Sequence, residues 1–282
     1  MSRSFLMLAG GVLLASLSAC SSMIGSMAAS TLSDSILNQR DPELVRHAVP
    51  AYLLLIDGMI YEHPDNENLL AAAAQLYALY GSRFALNHDR AVALTSKAHR
   101  YGTEALCLEH QWACKWDGSD YDGFVKHLTE VTRKQVGLLY AYAVGWLAYL
   151  DATSEDWSAV AELPWVQASL ERVIQLDGTY QHGTAHEYLG ILYSLRPPAL
   201  GGQPEKAKQE FEQAIELSGG RDLSVKVEYA RRYARLVFDR KLHDRLLDEV
   251  LAAPVEAKDL TLFNVLAKQE AKQLLDSADD YF

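Results

Sequence analysis

His182 and His186 lie four residues apart with Glu187 beside them, so on a helix the two imidazoles would stand one turn apart and could grip a divalent cation. Catalytic zinc usually takes three protein ligands and structural zinc four, so at least one more His or carboxylate would have to come from elsewhere. Solvated or capping polar residues at the start of a helix account for the same spacing, and no metal is assigned. Nothing else in the 282 residues spells out catalysis: there is no GxSxG elbow, no GxxxxGK[ST] phosphate loop and no HExxH pair. The chain therefore reads as a binding protein, not an enzyme, and calls for no cofactor. Cys107 and Cys114 would be about 10 Å apart on an unbroken helix, too far for a disulfide. A bridge needs the helix to end between them; two small buried thiols are the other reading.

The start of the chain reads as an export signal. Arg3 supplies a basic n-region, and Phe5 to Leu17 form an apolar run too short to span a bilayer. Leu17, Ser18, Ala19 and Cys20 match the lipobox of bacterial lipoproteins. That resemblance implies cleavage after residue 19, a diacylglycerol on the Cys20 sulfur and an acyl group on the new amino terminus. Two or more acyl chains hold a soluble domain at a membrane. Ser21 in place of Asp points, by the same resemblance, to the outer membrane of a periplasm-bearing cell. Residues 1–19 are thus assigned as signal peptide, 20–40 as a flexible tether and 41–282 as the folded domain. The formal charge of -11 and the dilution of the Arg231, Arg232, Arg235, Arg240 and Lys241 cluster by acidic neighbours exclude nucleic acid as a partner.

The elements that must position these residues are helices throughout, with no alternating strand run among them. Asp41-Pro42-Glu43 opens the first, expected to run to about Tyr61 with Pro50 as an internal kink point. Others are expected over Glu67 to Tyr80, Asp89 to Leu108, Phe124 to Val131, Gln135 to Leu150, Trp165 to Leu176 and His182 to Leu195. Further helices follow at Pro204 to Leu217, Ser224 to Phe238, His243 to Leu251 and Asp259 to Asp276. The helix from Gln135 is apolar around most of its circumference and should be central. Its aromatic residues Tyr140, Tyr142, Trp146 and Tyr149 either pack as core or line an apolar ligand cavity.

Between Thr184 and Gly219, Leu189-Gly190, Tyr193, Ala207, Phe211 and Ala214 reproduce the small and large positions of a tetratricopeptide repeat (TPR). Gly190 would let the paired helices approach closely, and Leu189, Tyr193 and Phe211 would fill the space between them. The fold class is therefore all-α, an array of antiparallel hairpins like those of TPR proteins. With Gly190 at the small position, Thr184, Glu187, Ile191 and Ser194 fall on the face that would line a binding groove.

Pro197 to Gly202, then Pro204-Glu205-Lys206-Ala207-Lys208, Val227 to Tyr233, and Asn264, Ala267, Ala271, Lys272, Leu274, Leu275 and Phe282 together resemble the TatT family. Its members are TPR-containing periplasmic lipoproteins associated with TRAP transporters, the tripartite ATP-independent periplasmic uptake systems. The resemblance runs from about Asp41 to Phe282. It implies a solute-binding protein of the P-component type as partner, assembly into a homotrimer, and a cavity or pore through each protomer suited to apolar or amphipathic small molecules. Two other roles compete with transport support: a TPR scaffold in envelope assembly, and a hydrolase of envelope polymers. The second lacks a visible constellation of nucleophile or paired carboxylates.

Overall fold

The computed structural model describes residues 33–116 and 120–282. The stretch expected to be a signal peptide, the expected lipidation site Cys20 and residues 20–32 of the expected tether lie outside the described residues. Every regular element among the described residues is helical. In chain order they are α1 (Pro42–Glu62), α2 (Glu67–Phe84), α3 (His88–Glu109), α4 (Gln111–Cys114), α5 (Tyr121–Leu128), α6 (Val136–Ala152) and α7 (Trp157–Ala161). Then follow α8 (Leu163–Asp177), α9 (Thr184–Ser194), α10 (Pro204–Leu217), α11 (Leu223–Glu228), α12 (Arg240–Ala252), α13 (Thr261–Asp276) and α14 (Ala278–Tyr281).

The stretch read as a tether is folded at its end. Residues 33–37 form a turn of helix with Ile36 buried in the core. Asn38 then exchanges two hydrogen bonds with Asp259, its side-chain nitrogen donating at 3.1 Å and its side-chain oxygen accepting from the Asp259 N–H at 2.8 Å. A single apolar residue with a place in the core is enough to order a polar segment beside it.

Local chemistry sets the helix ends. Asp41 accepts from the N–H groups of Glu43 and Leu44, and Pro42 occupies the first turn, where its missing N–H costs nothing. Pro50 lies inside α1 without ending it. A proline there leaves the carbonyl four residues back, that of Arg46, without its helical partner, and the Tyr80 hydroxyl donates to that oxygen at 2.9 Å. Asp57, also on α1, ties three elements together by accepting from Tyr77 and Tyr101, each at 2.8 Å, and pairing with Lys97.

The helices α2, α3 and α6 form the most tightly packed block. The axis of α6 is central, as its composition anticipated, with Leu139, Ala141, Tyr142, Ala143 and Trp146 all buried. A Cβ placed on Gly145 would stand 2.7 Å from the Ala98 carbonyl oxygen, and one on Gly102 would stand 2.9 Å from that of Ala141. The crossing of α3 and α6 therefore depends on two glycines that bring backbone against backbone. At the end of α3, His110 is extended, and α4 turns back so that the Cys107 and Cys114 Cα atoms come within 4.9 Å and their sulfurs are joined.

In the second half α9 packs along α10, and a Cβ on Gly190 would meet the Phe211 ring at 2.9 Å, the close approach that the sequence calls for. Two boundaries differ from expectation for a local reason. The helix expected from His182 starts at Thr184, because Gln181, His182 and Gly183 all take positive φ. The helix expected over Ser224 to Phe238 is α-helical only to Glu228 and continues as a π-helical turn over Tyr229–Ala234. The short helices α4, α7 and α14 lack enough periodicity to announce themselves. The chain then returns on itself: α13 packs on α11 and α12 and touches α1, and Arg83 at the end of α2 pairs with Glu270 of α13 at 2.9 Å.

Candidate functional site

The last turn of α2, the first turn of α9, the start of α11 and the middle of α13 meet at a polar seam within the array. Arg83 enters it from α2, Glu187 from α9, Asp222, Ser224 and Glu228 from α11, and Glu270 from α13. Glu187, Asp222 and Glu228 are no more than 5% exposed. Such carboxylates are rarely buried unless paired. Asp222 has a structural task, accepting from the Ser224 N–H at 3.1 Å and its hydroxyl at 2.6 Å to cap α11. Glu228 takes the guanidinium of Arg231 at 2.5 Å and that of Arg232 at 3.2 Å. Arg231 reaches on to Glu270, which also holds Arg83, so the pairs form one chain of alternating charge.

Glu187 is the member this chain leaves out. Burial first, then the negative charges of Asp222 and Glu228, push its carboxyl well above the usual range, with Arg83 and a hydrogen bond from Ser224 only partly offsetting them. Its protonated form is favoured by this surrounding, and in that form it can donate a hydrogen bond. Arg83 shows the converse: burial opposes its charge, but Glu270, Glu228 and Glu187 keep its pKa above the ordinary value. Burial and acidic neighbours also raise the phenols of Tyr140 and Tyr188, which bond to each other beside Glu187. Arg83, Ser224, Glu228 and Glu270, with Val227, Phe263, Leu266 and Ala267, line a cavity of about 10 Å³, the space of about one water.

The seam can hold a small polar group between the Arg83 cation and the buried Glu187 carboxyl, with apolar walls beside it. Among the described residues no nucleophile is poised against a base there, and no group of three His, Cys, Asp or Glu side chains is arranged to hold a metal.

The residues expected to line an open groove are only partly brought together. Glu187 is in the seam. Ser194 is buried and its hydroxyl donates to the Gly190 carbonyl at 2.7 Å within its own helix. Thr184 donates to the Gln181 carbonyl at 2.6 Å, and Ile191 packs partly buried against the core. The expected exposed face is thus covered, because α9 is enclosed by α8, α10 and the α11 segment. Tyr142 and Trp146 sit in the core, where Trp146 donates to Glu162 at 2.8 Å and stacks on His99 at 5.3 Å. His186 bonds through Nδ1 to Glu210 at 2.6 Å, and His182 lies outside the helix, so the two imidazoles do not stand on one helical face.

Sequence reasoning missed Arg83, Asp222, Glu228, Glu270, Tyr140 and Tyr188 as members of one site. The available signal was charge on an apolar face: Arg83 lies between the buried Tyr80 and Phe84, and Glu187 between Ala185 and Leu189.

A family model described as "TRAP transporter T-component" matches residues 38–282. An uncharacterised protein of Treponema pallidum (strain Nichols) is similar at 24% identity over 260 residues, which cover 86% of this chain and 80% of that protein.

Proposed function

Since the chain belongs to the TRAP transporter T-component family, we propose that it is a non-catalytic periplasmic lipoprotein that docks a solute-binding protein of the P-component type in support of solute uptake. The family is one of accessory transport components, and membership suggests an envelope location. The observation that carries the proposal is the length of the match: it spans residues 38–282, nearly all of the described fold.

In this reading Cys20 carries the lipid and residues 20–32 link it to the helices. An anchor at the membrane raises the effective concentration of the protein for a partner in the same compartment. The helices are arranged as TPR-like hairpins that curl around the seam. A small apolar or amphipathic ligand enters with its polar group at Arg83, Glu187 and Tyr188, and its apolar part displaces side chains such as Leu266 and Phe263. Homotrimer formation is supported by the outer side of α1, where Leu44, Leu54, Leu55 and Tyr61 are each more than half exposed.

The experiment is capture of the P-component expressed with the full chain, followed by mass spectrometry of the bound protein and small molecules. Co-purification of a solute-binding protein is expected; none at high concentration would overturn the transport role in favour of envelope scaffolding. Intact mass of the mature protein tests the anchor, for which two or three acyl chains on residue 20 are expected and an unmodified amino terminus elsewhere would end the lipoprotein reading.

A further inference from the structure

A second site lies on the outer surface, away from the seam, where α10, the π-helical turn and the start of α12 enclose a groove of about 410 Å³. That volume is in the range of small-molecule sites. Tyr229 and Tyr233 form its floor, buried at 3% and 8% exposure. Tyr229 stacks on Phe211 at 5.1 Å and Tyr233 lies against Tyr229 at 5.3 Å with the rings tilted by 54°, so the floor is held in place by aromatic packing and shows the groove only a little of each ring. A π-helical turn, here Tyr229–Ala234, occurs rarely and often at functional sites.

The rim is made of Lys208, Glu212, Asp239, Lys241 and Arg245. Each of its two carboxylates accepts one hydrogen bond within the fold. Asp239 caps α12 by accepting from the Leu242 N–H at 2.9 Å, and Glu212 accepts from the Tyr229 hydroxyl at 3.4 Å. Lys208, Lys241 and Arg245 have neither an ion pair nor a hydrogen-bond partner among the described residues. In a chain with formal charge -11, three uncommitted cations around one aromatic floor form a local exception. Arg245 also stands close enough to Tyr229 to lower the pKa of its phenol against the upward push of burial and Glu212.

We propose that this groove binds a small organic anion with a compact apolar body, the body seated between Leu242 and the exposed edges of Tyr229 and Tyr233 and the charged head held by Arg245 with Lys208 and Lys241. A guanidinium offers a planar fork that fits a carboxylate or phosphate oxygen pair, and two flexible ammonium groups beside it add charge without fixing the head's shape. An aromatic cation is disfavoured, because the rim sets three positive charges, on Lys208, Lys241 and Arg245, against two carboxylates. Acetate, with a head but no body, gains only the exposed part of the interaction, which water screens.

Calorimetric titration of the full mature chain tests this with four probes: 3-phenylpropionate, phenyl phosphate, 2-phenylethylamine and acetate. Saturable binding of one or both aromatic anions below about 1 mM is expected, with the amine and acetate at least ten-fold weaker. The better of the two anions identifies the head as carboxylate or phosphate. Arg245→Gln and the double variant Lys208→Gln/Lys241→Gln should each weaken the anion at least ten-fold with unchanged circular dichroism, while Lys134→Gln, at an exposed lysine outside the groove, should leave it unchanged. No saturable binding of either anion, equal binding of 2-phenylethylamine, indifference to the rim variants, or an equal loss in Lys134→Gln would each overturn the assignment. None of these results bears on capture of the P-component, so the two proposals fail separately.

Discussion

The crossing of α3 and α6 and the polar seam around Glu187 are both deeply buried, yet they are held by opposite means. At the crossing Gly102, Gly145, Ala98 and Ala141 remove side chains so that backbones touch, and aromatic residues fill what remains. At the seam, full-length charged side chains occupy the interior and balance one another through Arg83, Glu270, Arg231 and Glu228. Close packing has one solution and resists change. A charge network stabilises only while every partner is in place, and replacing one member exposes the cost of burying the rest. Rigidity is thus concentrated at the first region and the capacity to respond to a polar ligand at the second.

The sharpest way to break the contrast is Gly145→Val. The added Cβ would stand 2.7 Å from a backbone oxygen that cannot move by itself, and a loss of about 3 kcal/mol or more is expected in urea unfolding. An unchanged midpoint would show that the crossing is plastic. Arg83→Met should cost about 2–3 kcal/mol by leaving Glu270 and Glu228 short of a partner. Adding Glu270→Gln should recover part of that loss, and strict additivity in the double-mutant cycle would refute the coupled network.

His99 offers a pH test of the packed region. Burial pushes its imidazole down to about 4, while the unfolded chain keeps the ordinary value of about 6.5. The unfolded state therefore binds the proton first, and stability present above pH 6.5 is lost as pH falls toward 4. The loss is on the order of 2–3 kcal/mol. His99→Phe, retaining the stack on Trp146, should flatten that slope in thermal melts, and a persistent slope would assign it to other groups.

The smallest effect has the opposite sign. The Glu187 carboxyl is raised in the folded state, so the unfolded chain ionises first and stability falls as pH rises above the ordinary carboxylate range. Glu187→Gln should remove that fall and raise stability at pH 7 to 8 by about 1 kcal/mol. A destabilised variant at pH 8 would mean that the acid is ionised and paired after all.

Much of the helical layout was legible in the sequence because its causes are local. Asp41-Pro42 announces a helix start, Pro204 to Leu217 has the bounds that its apolar spacing gives, and Gly190 faces Phe211 as the repeat pattern requires. The seam was not legible in the same way. Its members are separated by as many as 187 residues, the distance between Arg83 and Glu270, and nothing local says that two charged residues so far apart will meet. The left-handed turn at Gln181 and His182 defeated the metal pattern for a related reason, since helical spacing has meaning only where a helix exists. The bond between Cys107 and Cys114 falls between these cases: spacing set the condition, and only the reversal at His110 met it.

The contact of α13 with α2, together with the Asn38–Asp259 bonds, has a consequence for folding. An open solenoid is a line of neighbours, in which an end can fray or be trimmed and the rest remains. Here the line is joined into a loop, and each end serves as the other's cap. Removing α13 would uncover the start of the chain as well as its own neighbours, so the first and last helices should gain protection from hydrogen exchange in the same step. The closure requires contacts between the most distant parts of the sequence, which is entropically the slowest kind to form. The meeting of the two ends should then come late in folding, and with it the Arg83–Glu270 pair of the polar seam.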